Sequence, residues 1–276
     1  MIHVAPLRYG VIFKKAFCDP QIFTAFAQDV LGIKLAISHV ETEKRFSPPI
    51  GNVDLIIDLF AQDDSQRVIV EIQHVRYGDH YDTILHYHCA ALLEQIANSE
   101  NYRPTRAVYT IVVLTSGDKH QTDWATIDFD PKTREGKGLG EIPHKIIYLC
   151  PKYANDNTPP LLREWLRAID DTLDKSVDET QYQNPQIQRV FAAIENNLVS
   201  PEERFIMIEE FNREQLKLQE QEEARAEGEK KGKQEGKQEE KLTIARTMLD
   251  KGLDAALIAD ITGLSHEEIA ELKEDN

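Results

Sequence analysis

Asp58, Glu71 and Gln73 stand in two runs, VDLIIDLFA (53–61) and RVIVEIQH (67–74), whose other side chains are mostly aliphatic. A carboxylate buried among such neighbours is costly unless it is paired or binds a cation. Side chains alternate along a strand, so Asp54 shares a face with Asp58, and Glu71 with Gln73. The connection QDDSQ is short enough to make the two runs neighbours, which brings Asp58 and Glu71 together near one end of a sheet. Two carboxylates a few ångströms apart repel unless one keeps a proton or a cation sits between them. The donors are hard oxygens, with no cysteine and no tight histidine pair on these strands, so the cation would be Mg²⁺ or Mn²⁺ rather than Zn²⁺. The Gln73 amide would orient a water or a phosphate oxygen in the same pocket. The residues alone leave a second reading open, in which acids near strand ends simply face solvent.

The surrounding pattern shows what would position these acids. Ile12, Phe13, Phe17, Ile22, Phe23, Phe26 and Val30 recur at helical spacing. They predict one helix ending at Gly32 and bent near Pro20. LAISHVETEKRF reads as a strand and SPPIGN after it as a turn. DHYDTILHYHCAALLEQIANS reads as a helix capped by Asp79. AVYTIVVLT is a strand covered on both faces, and HKIIYLCP is another. The order α-β-β-β-α-β-(β) predicts one α/β layer sandwich over residues 1–160. Residues 161–204 hold two amphipathic helices. Residues 205–245 are charged, with Gly228, Gly232 and Gly236 recurring every four positions. They form either a solvated, fraying helix or linker, or a helical association arm. Residues 246–276 read as a helix–tight turn–helix, with Gly263 as C-cap and Ser265 and Glu268 as a capping box.

Composition narrows the class. With 276 residues, 41% hydrophobic and 29% charged, the chain is expected to be globular, and no apolar run approaches the ~20 residues of a membrane helix. The start, MIHVAPLRYG, lacks a signal-peptide core. Three widely spaced cysteines, Cys18, Cys89 and Cys150, suit buried thiols of a reducing cytoplasm. The net charge of −16 is uneven: residues 1–150 carry 15 Lys and Arg against 19 Asp and Glu, and the remainder 17 against 29. A local basic face is therefore open only to the first half. Residues 246–276 have three basic residues against eight acidic ones, which favours protein packing over DNA readout by that unit alone.

Asp58-x12-Glu71-x-Gln73, preceded by the FKKAF helix and followed by a Tyr-rich helix, resembles the PD-(D/E)XK nuclease superfamily. The likeness is to the branch of recombination-promoting nucleases and transposase-labelled proteins whose last motif reads Glu-x-Gln. The Gly/Glu/Lys-repeat tail followed by TGLS-x-EEI is similar as well. The resemblance implies a restriction-endonuclease-like αβββαβ core, a mixed sheet flanked by helices, with a charged α-helical C-terminal extension. It implies a metal-dependent DNA endonuclease associated with recombination or mobile elements. Asp58, Glu71 and the backbone carbonyl of Ile72 would hold Mg²⁺ (or Mn²⁺), and Gln73 stands where the superfamily usually has lysine. Asp54, one strand repeat early, would be a supporting acid. Lys14, Lys15 and Arg76 would touch the DNA backbone, and the extension would form a homo-oligomer. Two departures stand out. Gly10 occupies the place where relatives commonly carry an acid three positions before Phe-Lys, and Thr83 stands where many carry arginine. The alternative is therefore a decayed nuclease fold kept as a binding or assembly module. The remaining candidates give no site. His86 and His88 do not share a helical face, His74 points away from the motif, and Ser116 with His120 lacks a nucleophile elbow.

Overall fold

The fold is described from a computed structural model, which places residues 1–46, 55–74, 80–96 and 102–274. The SPPIGN segment, Asp54, Arg76 and the Asp79 cap lie outside the described residues. The chain divides into two units, Met1–Glu210 and Phe211–Asn276.

The first unit is built on a six-stranded mixed sheet. In chain order its strands are β2 (Val40–Arg45), β3 (Ile56–Gln62), β4 (Gln66–Gln73), β5 (Ala107–Leu114), β6 (Trp124–Asp128) and β7 (Lys145–Leu149). Their order across the sheet is β2-β3-β4-β5-β7-β6. The meander β2-β3-β4 is antiparallel, β4-β5-β7 is parallel, and β6 closes the edge antiparallel to β7. The parallel step from β4 to β5 needs a crossover, supplied by α3 (His80–Leu93). β6 was not expected, although Ala125, Ile127 and Phe129 alternate with Thr126 and Asp128 in WATIDFD; the run is short, and its ladder to β7 decides it.

Instead of one bent helix the N-terminal region forms two, α1 (Gly10–Phe17) and α2 (Pro20–Leu31). The reason is local. Asp19 accepts from the backbone N–H groups of Gln21 (2.8 Å) and Ile22 (3.2 Å), and Pro20 sits at the first helical position, where its missing N–H costs nothing. The expected stop at Gly32 is present, with φ +67°.

Alternation along the strands gives the sheet two apolar faces. One, with Leu59, Val68, Val70, Ile111, Val113 and Ile147, packs against α1, α2, α4 (Pro160–Asp171) and α5 (Pro185–Ala193). Trp165 is fully buried between Phe17 and Phe26 and donates its indole N–H to Asp29 at 2.8 Å. The helices after residue 160 thus share the core of α1 and α2. The other face, with Ile69, Val108, Val112 and Ile146, is covered largely by α3. A two-residue pair, β1 (Ile2–His3) with β8 (Ser176–Val177), fastens the N-terminus.

Helix α6 runs Pro201–Asp250, and its first turns belong to this unit. Gly228, Gly232 and Gly236 lie within it, exposed, with nothing near the place of a side chain. In the second unit the end of α6 packs with α7 (Ala255–Thr262) and α8 (His266–Glu274) around Ala245, Ile258, Leu264, Ile269 and Leu272. Gly263 caps α7 with φ +66°, and Ser265 and Glu268 form the reciprocal capping box, at 2.7 Å and 3.2 Å.

Candidate functional site

The β3–β4 ladder runs in register from Gln62↔Arg67 to Leu59↔Val70. The next opposed residues would be Asp58 and Glu71, and there side chains take over from backbone. The Glu71 carboxyl accepts the Asp58 N–H at 2.9 Å, and the Asp58 carboxyl accepts the Ile72 N–H at 3.2 Å. Each carboxyl lies close enough to the other to influence its ionisation. On the other side of Asp58 the β2 ladder pairs Thr42 with Leu59 and Lys44 with Ile57, and the intervening Glu43 takes a left-handed φ of +54°. Such a conformation costs a non-glycine residue about 1–3 kcal/mol and persists only where its surroundings impose it. The sheet is therefore distorted on both sides of one aspartate.

Electrostatics follow from placement. Glu71 is 6% exposed, and burial pushes its carboxyl well above the usual range, with the neighbouring Asp58 charge adding to the shift. Burial also raises Asp58, against the Ile72 N–H and the nearby Lys14 ammonium. Lys14, on α1, lies 3.9 Å from Asp58 and 2.8 Å from Glu43, whose carboxyl it holds low. Tyr87 of α3 is raised first by burial and then by Glu71 and Asp58. The acids thus lie between α1 on one sheet face and α3 on the other.

Of the residues expected at the site, Asp58 and Glu71 are brought together and Lys14 stands beside them. Gln73 ends β4, and its Oε1 atom is buried with no hydrogen-bond partner among the described residues. Lys15 points elsewhere: its ammonium binds the Leu198 carbonyl at 2.6 Å and Glu203 at 2.8 Å. One acid was missed. Glu210 of α6 reaches the start of α1, accepting from the Gly10 N–H at 2.9 Å and the Val11 N–H at 3.4 Å. The i, i+4, i+7 spacing of Glu203, Met207 and Glu210 puts all three on one face of a helix, but it does not single Glu210 out among the many acids of this stretch.

Among the described residues no three histidines, cysteines or acids are clustered tightly enough to form a complete metal cage. The donor set nonetheless fits a hard cation. The Asp58 and Glu71 carboxyls oppose each other with Glu71 buried, so a proton or a cation must relieve their repulsion, and the Gln73 oxygen, unpaired among the described residues, ends the strand that carries Glu71. Mg²⁺ asks for only one or two carboxylates, since it retains several waters. A separate cavity of about 630 Å³, lined by Leu92, Arg103, Arg106 and His144, opens at the other end of β4 and lacks these acids.

Fold and site together define a mixed-sheet α/β protein with a carboxylate pair where two strands fork. Residues 11–227 match the family described as PD-(D/E)XK nuclease family transposase, and the chain belongs to that family. Residues 238–274 match the Rpn/YhgA-like nuclease family C-terminal HTH domain, which coincides with the packed end of α6, α7 and α8. No curated protein and no solved structure matches the chain.

Proposed function

We propose that the chain is a metal-dependent phosphodiester hydrolase, a DNA endonuclease associated with recombination or mobile elements. The observation that carries this reading is the crossed Asp58–Glu71 pair, two carboxyls opposed at a break in the sheet with one of them buried. Asp58, Glu71 and the Ile72 carbonyl would hold Mg²⁺ or Mn²⁺. Bound there, the ion would neutralise phosphate charge and lower the pKa of its water. Asp58 is held by the Ile72 N–H and Glu71 by the Asp58 N–H, so both carboxyls are oriented before substrate arrives. Gln73 carries no charge and can only position a water or a phosphate oxygen. Lys14, 3.9 Å from Asp58, supplies the positive charge that Gln73 lacks and reaches the backbone of the nucleic acid.

The DNA partner rests on family membership and on the C-terminal HTH match. Self-association through α6 is proposed from its exposed apolar residues, Phe205 and Leu216 each 61% exposed among them. No helix among the described residues is long and apolar enough to cross a membrane. The free thiols Cys18, Cys89 and Cys150 suit action in the cytoplasm.

Plasmid nicking tests the proposal, with purified protein in Mg²⁺, Mn²⁺ or EDTA beside Asp58→Asn and Glu71→Gln. We expect metal-dependent nicking, reduced at least ~10²-fold in each variant, because charge stabilisation of this kind is among the largest catalytic contributions. No cleavage, or cleavage surviving both substitutions, would overturn the enzyme in favour of a binding or assembly module.

A further inference from the structure

Glu210 reaches the site from a helix whose phase is fixed. Ser200 and Glu203 form a reciprocal capping box at 2.7 Å and 3.1 Å, with Pro201 at the first position of α6. Glu203 also binds Lys15, and Met207 packs on the main core. Glu210, on the same face, then falls against the first turn of α1. The residue preceding that turn, Tyr9, provides no side-chain cap. Gly10 has no side chain, and the point where its Cβ would stand is 3.6 Å from Glu210 Oε1 and 4.0 Å from Asp58 Oδ1. The two acids therefore border one small space that glycine leaves open.

We propose that Glu210 is the third carboxylate of the Asp58–Glu71 cation site, an assignment that rests on the metal-dependent reading above. A structural cap for α1 could come from Ser, Thr or Asn at position 9 without bringing another negative charge beside two acids. Here an acid 200 residues away is anchored by backbone N–H groups next to Asp58. The resulting repulsion is relieved by a divalent ion. Since Mg²⁺ keeps most of its waters, a carboxylate bordering the site engages the hydrated ion without completing a closed cage. The Gly10 and Val11 N–H groups at the N-terminus of α1 keep that carboxylate oriented, and the nearby Lys14 ammonium favours its charged form.

The test is Mn²⁺ binding by calorimetry on the full chain without DNA, for wild type, Asp58→Asn, Glu210→Gln and Gly10→Asp/Glu210→Gln. Melting of each in EDTA accompanies it. Glu210→Gln keeps an amide oxygen for the Gly10 N–H. We expect its melting temperature in EDTA within about 3 °C of wild type. Its Mn²⁺ affinity should fall ~10-fold or more. The double variant, with an acid placed in the same space from α1, should recover most of that loss. Wild-type affinity in Glu210→Gln, with Asp58→Asn impaired, would overturn the assignment and leave Glu210 a helix cap. A double variant no better than Glu210→Gln would also overturn it. Absence of Mn²⁺ binding in the wild type would overturn both this assignment and the metal-dependent function.

Discussion

Glu71 is a carboxyl whose burial opposes its own ionisation. Its folded pKa lies above the ordinary 4.5, so the stability it contributes while protonated is fully present below that value and is lost as pH rises through the folded pKa. A divalent ion bound as proposed would replace the proton and reverse the loss. We therefore expect Glu71→Gln to melt higher than wild type in EDTA at pH 8, with the difference shrinking toward pH 4.5. A variant that melts lower throughout would remove the buried-acid account. Asp58, Glu71 and Gln73 could be singled out in the sequence because acids and an amide interrupt aliphatic runs. Glu210 could not: MIEEFNREQLKLQEQEE offers many acids of equal appearance, and only the tertiary meeting of α6 with α1 selects one. Lys14 and Lys15 were likewise indistinguishable, yet one faces Asp58 and the other is held by Leu198 and Glu203.

At the scale of elements, periodicity located most helices and the central strands but not their breaks. The division between α1 and α2 depends on Asp19, whose carboxyl serves two N–H groups and also pairs with Arg189 at 2.6 Å. Asp19→Ala should cost about 1 kcal/mol in chemical denaturation, the usual loss of an N-cap, with no change in metal binding. An unchanged midpoint would mean that Pro20 alone sets the break. The crossover helix α3 carries a second pH-sensitive group. His88 is fully buried, stacked on Phe129, and meets the Thr110 hydroxyl at 2.9 Å. Burial, with His144 adding, lowers its pKa from 6.5 to about 3. A histidine so depressed contributes stability that is present above pH 6.5 and is lost as pH falls toward 3. The loss approaches ~1.4 kcal/mol per pH unit below 6.5, less what neighbouring histidines share. His88→Gln should flatten this acid limb in urea titrations between pH 6.5 and 4. An unchanged slope would place the acid sensitivity in other groups. Helical spacing argued against a metal pair at His86 and His88; it could not show that His88 is sealed under Phe129, a residue just beyond the unexpected strand β6.

At the scale of the whole molecule, charge and apolar exposure pull apart. A net charge of −16 repels nucleic acid, so the proposed binding would have to rest on a local arrangement of cations or a bound metal rather than on the overall field. The same charge keeps copies apart unless some apolar surface draws them together. Helix α6 offers one: Phe205, Ile208, Phe211, Leu216 and Leu218 are 39–61% exposed and fall on one side of the helix at 3.6 residues per turn. Leaving these large apolar side chains half-exposed on one stripe is costly, and pairing two such stripes would bury the remainder of each at a gain of about 1 kcal/mol per side chain. The glycines further along, each ~1 kcal/mol poorer than alanine in a helix, weaken that later stretch, so association should depend on the apolar part. We expect the full chain to run as a dimer by light scattering and Phe205→Glu/Leu216→Glu to dissociate at least ~100-fold more readily. Nicking by Asp58 and Glu71 should survive in the dissociated form, since both acids and their oriented N–H groups belong to one chain. Coordinated cleavage of opposite strands should be lost with the dimer. A wild-type monomer at micromolar concentration would end the association argument and leave the stripe to another partner.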